Sequence, residues 1–310
     1  ETFWITDLEL INYRGFTETL LDFTDGKGFV NPISVFYGSN GCGKSTSLEA
    51  INLIGNSQMF FGRDNDLLFR KMIFHPDYDP SLPHFVKHNL DMSINATFVD
   101  DNSNPYRVEI TSKDVYPGGK FDGIIKVEIP SRDVVAWIDA DHIMNMNKFQ
   151  IPADRIDKFI NMAETVYGYR CDIGSEVVTT SSGVTTVNPA LQKTQKTVKY
   201  YQDFIIDKGN SKVHFKSMSA GEKKIATLLR NLCNPLVVDK PGIILVDNVE
   251  MHVYFKRHAR MIDKLLEEFP EKQFIVTTHS QVVIEHVGKK YGSRCLFDIP
   301  KIKGEKMLED

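Results

Sequence analysis

Residues 33–45 constrain this chain more than any other segment. Ile33-Ser34-Val35-Phe36-Tyr37 is a short, mostly apolar run suited to a buried strand. It runs straight into Gly38-Ser39-Asn40-Gly41-Cys42-Gly43-Lys44-Ser45, which fits the pattern Gly-x4-Gly-Lys-Ser/Thr. Leu48, Ile51 and Ile54 then recur at helical spacing. Strand, glycine-rich loop and helix in that order form a cradle for phosphate. The glycines let the backbone curl so that its N–H groups face phosphate oxygens. The helix N-terminus adds partial positive charge. Lys44 neutralises the β- and γ-phosphates, Ser45 offers a hydroxyl to Mg²⁺, and a chance glycine-rich turn would lack both flanking elements. Cys42, between two of the glycines, reads as a small residue that the loop tolerates.

Composition sets outer limits. With 310 residues, one large domain or two intimate ones are expected. The apolar share of 42% is enough for a sizeable core and excludes global disorder. A net charge of −4 argues against a chain that coats nucleic acid with its whole surface, so any such contact needs a local patch. Cys42, Cys171, Cys233 and Cys295 are scattered and form no CxxC pair, as expected for reduced thiols in a cytosolic protein. The spacings His84-x3-His88 and His252-x5-His258 lack cysteine partners and read as solvated or core histidines rather than zinc ligands. No apolar run reaches membrane-spanning length. The opening ETFWITDLEL has no secretory pattern, and its lack of an initiating Met suggests trimming.

Strands are expected at 3–11 and 17–23 around the turn NYRGF, and at 92–99, 106–112 and 123–129, the first two of these joined by DDNSNP. The pattern predicts an amphipathic helix over 155–166, a loop or exposed hairpin over 172–190, and strands at 197–206 and 212–216. A helix is expected at 219–233, with Ile225, Leu228, Leu229 and Leu232 on one face. The last third alternates strand 243–247, helix 252–268, strand 273–277, helix 280–287 and strand 294–298, which argues an α/β fold with a mostly parallel sheet.

Three further motifs fall in this part. Ile243-Ile244-Leu245-Val246-Asp247 is an apolar strand ending in a carboxylate that can hold Mg²⁺; Asn248, Glu250 and His252 follow. Ser217-Met218-Ser219-Ala220-Gly221-Glu222 precedes a helix, and reads either as an anion site or as a plain capping box of Ser219 with Glu222. Thr277-Thr278-His279-Ser280 ends a strand at the edge where open parallel sheets bind ligands.

Together, and in this order, these segments resemble the ATP-binding-cassette ATPases of the SMC, RecF and OLD-like branch. GSNGCGKST looks like Walker A, SMSAGE like the signature loop, IILVD like Walker B and TTHS like the switch-histidine loop. The hairpin ending in NYRGF is similar to the opening of that branch, and DNVEMH resembles the DEPExH sequence of its OLD-like group. The likeness covers 1–57 and 212–298. It implies a P-loop NTPase head with a mixed, mostly parallel sheet, a β-rich N-terminal lobe and a helical and β insertion. The chain then divides into a first part of the ATPase core (1–57), inserted lobes (58–211) and a second part of the core (212–310).

The resemblance also implies two heads that sandwich two ATP molecules. Gly38, Ser39, Asn40, Gly41, Cys42, Gly43, Lys44, Ser45 and Thr46 would hold phosphates, with Ser45 and Asp247 on Mg²⁺. Arg14 would approach from the same head, while Ser219, Gly221 and Glu222 would serve the neighbour's nucleotide. His279 would sense the γ-phosphate. The Q-loop glutamine could be Gln58 or Gln150. The family's catalytic Glu after Walker B is replaced by Asn248, and an amide cannot accept a proton at neutral pH. Either Glu250 or another group compensates, or hydrolysis is slow and ATP acts as a dimerisation clamp, or the change is an engineered one that traps ATP.

No coiled coil separates Walker A from the signature loop, which disfavours a chromosome-bridging SMC. Only about 12 residues follow 298, so an effector such as a nuclease is expected on a separate chain. Compact OLD-like ATPases of this kind resemble the ATPase subunits of bacterial anti-phage systems, cytoplasmic and free of membrane. A first alternative is a RecF-type repair ATPase that binds DNA. Lys193, Lys196, Lys199, Lys208, Lys212, Lys216, Lys223 and Lys224 face only Asp203, Asp207 and Glu222 over 193–224, a patch able to neutralise phosphates or simply a solvated face. A second alternative is a non-catalytic scaffold that binds ATP structurally. A transporter subunit is disfavoured by the NYRGF opening and the long middle region.

Overall fold

The computed structural model describes residues 1–57, 92–113, 122–129, 133–139, 150–183 and 194–304. At its centre lies a five-stranded sheet in the order β13-β3-β12-β11-β7, with every neighbouring pair parallel. The strands are β3 (Ile33–Tyr37), β7 (Val135–Asp139), β11 (Ile243–Asp247), β12 (Gln273–Thr277) and β13 (Leu296–Asp298). A parallel sheet is covered on both faces, so its strands read as unbroken apolar runs. That is why β3, β11 and β12 fall on the expected bounds.

Successive side chains point to opposite faces, and each face has its own core. Ile243, Leu245 and Ile275 pack with α1 (Lys44–Gly55) through Leu48, Ile51 and Ile54, and with an antiparallel sheet beyond it. Ile244, Val246, Phe274 and Val276 face a helical layer of α2 (Ile156–Tyr167), α3 (Ala220–Leu232), α5 (His258–Glu268) and α6 (Gln281–Lys290). Two single-turn helices, α4 (Pro235–Val238) and α7 (Ile299–Ile302), complete the set among the described residues.

The antiparallel sheet has the order β2-β1-β4-β5-β6, from β1 (Phe3–Tyr13), β2 (Phe16–Asp22), β4 (Met92–Asp100), β5 (Pro105–Lys113) and β6 (Asp122–Val127). The register of β1 on β4 slips between Ile5 and Asp7. The buried Gln273 meets that slip: its Oε1 accepts from Ile5 N at 2.9 Å and its Nε2 donates to Ile5 O at 3.0 Å. One amide therefore ties the lobe to the start of β12. The expected loop or hairpin at 172–190 is a hairpin of long strands, β8 (Arg170–Gly183) and β9 (Thr194–Asp207), with β10 (Lys212–His214) beside β9.

Two expectations change. The helix expected from 252 begins at His258: His252 is left-handed at φ 67, Tyr254 is extended, and a 3-10 turn over Phe255–Arg257 leads into the helix. Strand β7 went unrecognised in the sequence. It is secured by Asn56 just past α1, whose Nδ2 donates to Val135 O at 2.9 Å and whose Oδ1 accepts from Val135 N at 3.2 Å. His84, His88, Gln58 and Lys193 lie outside the described residues.

Candidate functional site

The loop between β3 and α1 supplies the first half of the site. Gly38 has φ 136, and a Cβ there would meet Pro300 Cδ at 2.4 Å, so only glycine fits under α7. Gly43, at φ 109, is the N-cap of α1 and brings no side-chain cap. The first N–H groups of α1 are thereby left for a ligand, the arrangement that binds phosphate. Lys44 is buried and its Nζ donates to Gly38 O at 3.1 Å and Ser39 O at 3.0 Å. Ser39, Asn40, Gly41 and Ser45 are exposed, while Cys42 is buried and Thr46 half-buried.

Across 202 residues of sequence, Ser45 Oγ donates to Asp247 Oδ2 at 2.8 Å. Asp247 Oδ1 accepts from the Thr277 hydroxyl, which itself accepts from Asn248 N at 2.8 Å. The start of α1 and the ends of β11 and β12 thus converge on the Asp247 carboxylate, with the Ser45 hydroxyl beside it. That pair of hard oxygen ligands suits Mg²⁺, so the residues present fit the ion the sequence implies.

Past Asp247 the chain turns sharply. Asn248 has φ 51, a left-handed conformation that Asn tolerates better than most residues. Met251 N donates to Asn248 O at 2.9 Å and Val253 N to Glu250 O at 3.0 Å. This winds Glu250 back toward the loop after β12, where its Oε1 accepts from His279 N at 2.7 Å. Its other oxygen, Oε2, is buried and has no hydrogen-bond partner among the described residues. Such an orphan is costly unless something else meets it. The His279 side chain is exposed at the same edge.

Arg14, at φ 42 in the β1–β2 turn, forms an ion pair with Glu49 of α1 and lies 5.6 Å from the Tyr13 ring centroid. Burial pulls its guanidinium below the usual value. It sits against the helix that begins at Lys44, engaged with a carboxylate. Sequence reading missed Lys303, whose Nζ donates to Cys42 O at 3.0 Å. With Pro300 on Gly38, this makes the segment after β13 a brace for the phosphate loop. No local motif marks such a contact.

The signature-like loop is built differently. Ser219 is the N-cap of α3, and both arms of the capping box are present: Glu222 N donates to Ser219 Oγ at 3.3 Å and Ser219 N to Glu222 Oε2 at 2.9 Å. Lys208 Nζ lies 3.0 Å from Glu222 Oε1, so one lysine of the basic stretch is already paired. Burial, the largest single influence, raises the Glu222 pKa. Hydrogen bonds from the Ser219 backbone and the Lys208 and Ser219 side chains outweigh it, leaving the carboxyl below its usual value. Ser219 is exposed. Helix α3 packs against β7, three strands from β3, which at about 4.8 Å per strand is roughly 14 Å. Gly221 lies under the His252 ring, where a Cβ would come within 3.3 Å of Nδ1.

Gln150 is exposed, and its carbonyl accepts from Arg230 Nε at 3.2 Å. His252 is exposed and His258 buried; no group of three or more His, Cys, Asp or Glu side chains that could hold a metal occurs among the described residues. None of their helices is long and apolar enough to cross a membrane.

Residues 33–285 match the family described as "AAA domain, putative AbiEii toxin, Type IV TA system". The Retron Vc95 probable ATPase of Vibrio cholerae serotype O1 biovar El Tor is 31% identical over 94 residues, 27% of this chain and 18% of that one. The Septu protein PtuA of Bacillus mycoides (strain KBAB4) is 21% identical over 293 residues, 89% of this chain and 38% of PtuA. The chain thus spans less than half the length of these curated relatives. The SMC head domain from Thermotoga maritima superposes with a TM-score of 0.55 at 17% identity, covering 91% of each chain. That likeness is one of fold, a P-loop ATPase head.

Proposed function

This chain belongs to that AAA-domain family of ATPase type, and from this premise we propose that it is an ATP-driven switch. It pairs head to head with a second copy and acts on a separate effector protein. The observation that carries the reading is the Ser45–Asp247 hydrogen bond, which joins the expected Walker A and Walker B residues at one point. In this reading 1–57 and 212–310 are the two parts of the ATPase core, and 58–211 is an insertion that lends β7 to the core sheet.

Lys44 and the N–H groups at the start of α1 bind the phosphates, and Ser45 and Asp247 hold Mg²⁺. The ion screens phosphate charge during transfer to water. Asn248 cannot act as a base. In this reading Glu250 is the base that takes a proton from the attacking water, a role supported by its one oxygen held by His279 N and the other without a partner among the described residues. His279 reads the γ-phosphate from the same edge. Ser219, exposed and roughly three strands from the phosphate loop, serves the nucleotide of the partner head together with Gly221 and Glu222. The similarity to a retron ATPase and to a Septu protein supports a role in bacterial anti-phage defence.

Mixing tests the composite site. Lys44→Ala and Ser219→Arg heads are each expected to be inactive alone. Mixed, they form one intact site per pair and recover part of the ATP turnover. No recovery, with both variants folded, overturns head-to-head pairing.

A further inference from the structure

His258, the first residue of α5, is buried and joins two loops that the functional reading treats separately. Its Nε2 lies 2.9 Å from Val253 O, and its Nδ1 lies 2.7 Å from Ser280 Oγ. A carbonyl can only accept, so Nε2 carries the proton. In the neutral ring Nδ1 must then accept from the Ser280 hydroxyl. Ser280 Oγ in turn accepts from Val283 N at 3.3 Å and caps α6. One imidazole is therefore tied to the end of the 248–253 turn and to the residue after His279.

We infer that His258 is a positioning residue that locks the turn carrying Glu250 to the loop carrying His279. Asn248 N and Val249 N, bonded to the Thr277 hydroxyl and carbonyl, hold the start of the turn to the end of β12, and His258 holds its far end. The turn contains two left-handed residues, Asn248 and His252, a strained path that persists only when its surroundings fix it. The Glu250 Oε1–His279 N hydrogen bond spans the two loops and aligns the carboxylate only while both keep their places. His258, itself buried, bridges them through Val253 and Ser280. Val253 is also next to His252, whose ring lies on Gly221 at the start of α3. The lock thus runs on to the signature-like loop: Ser280, His258, Val253, His252, Gly221. For its catalytic consequence, the inference rests on the functional reading above.

The test uses the whole chain with His258→Ala, His258→Gln and His258→Asn. Amide hydrogen exchange on nucleotide-free protein reads the lock whether or not ATP is turned over. His258→Ala is expected to speed exchange across both 248–254 and 279–284. Gln reaches the Val253 carbonyl and should keep only the first segment slow. Asn reaches Ser280 and should keep only the second slow. ATP binding, which depends on Lys44 and the loop, should stay unchanged in all three. Single-turnover hydrolysis should fall by about 10–100-fold in each, the scale of a misplaced catalytic group. Faster exchange in one segment alone in His258→Ala overturns the lock. So does wild-type turnover with both segments loosened. If wild-type protein binds no ATP, the functional reading fails while the exchange result still decides the lock.

Discussion

The two helix N-termini at the expected nucleotide edges, those of α1 and α3, satisfy their backbone in opposite ways. At α1 the N-cap is a glycine without a side chain, and the N–H groups are left open. The lysine next to it is buried onto loop carbonyls, and the serine reaches a carboxylate 202 residues away. At α3 the cap is closed locally by Ser219 and Glu222, with Lys208 as an outer partner, and the serine faces solvent. The first end is preorganised for a ligand by long-range contacts. The second closes the Glu222 N–H on its own Ser219 side chain, so a ligand that takes the Ser219 hydroxyl must displace a hydrogen bond. A site that binds within one chain and a surface that engages only when a partner arrives would differ in this way.

The largest expected effect bears on the loops between these ends. Glu250→Gln removes the carboxylate that accepts from His279 N and should slow single-turnover hydrolysis by about 10²–10⁴-fold, the usual worth of a general base. ATP binding should survive, because Lys44, Ser45 and Asp247 remain. Asn248→Glu is a weaker lever than the sequence suggests, since a left-handed Glu costs about 1–2 kcal/mol. Brisk turnover in Glu250→Gln would move the base elsewhere, with His279 the next candidate.

Lys44→Ala strikes the α1 end directly. It leaves two loop carbonyls without their donor and the phosphates without their cation. Calorimetry should show a loss of about 2–5 kcal/mol in ATP affinity. Retained affinity would erase the difference between the two ends.

Stability offers a sharper contrast through a matched pair. Gly38→Ala forces a Cβ onto Pro300 at a positive φ and should cost about 2–4 kcal/mol in thermal unfolding. Gly221→Ala sits in a helix with its nearest neighbour at 3.3 Å and should shift stability by about 1 kcal/mol or less, in either direction. Equal costs would mean that the α3 end is as tightly built as the α1 end.

The smallest effect is in pH. The Glu222 carboxyl is held below its usual value in the fold. Its contribution is therefore fully present above the unfolded pKa of about 4.3 and is lost as pH falls through the lower folded value. Melting curves of wild type and Glu222→Gln should differ at neutral pH and converge in acid below about pH 4. A gap that persists in acid would show that the box does not depend on the charge. The buried thiols of Cys171 and Cys233, pushed by burial up to about 12, should stay unreactive throughout.

The sequence by itself determined the phosphate loop, the three central strands and the fold class. Continuous apolar runs mark strands covered on both faces, and the glycine-lysine-serine spelling has few other uses. It also offered both readings of Ser219, and the capping box is present. Tertiary structure alone decided the place of β7, whose edge position rests on Asn56, a residue 79 positions from Val135. It alone decided that the 248–253 turn is not helical, that Glu250 meets His279 N, that Arg14 pairs with Glu49, and that Pro300 and Lys303 brace the phosphate loop. Local periodicity reports how a segment buries its own face. These contacts join residues far apart in the chain, fixed by strand order and by a few left-handed turns. They leave no periodic trace in the segments they connect.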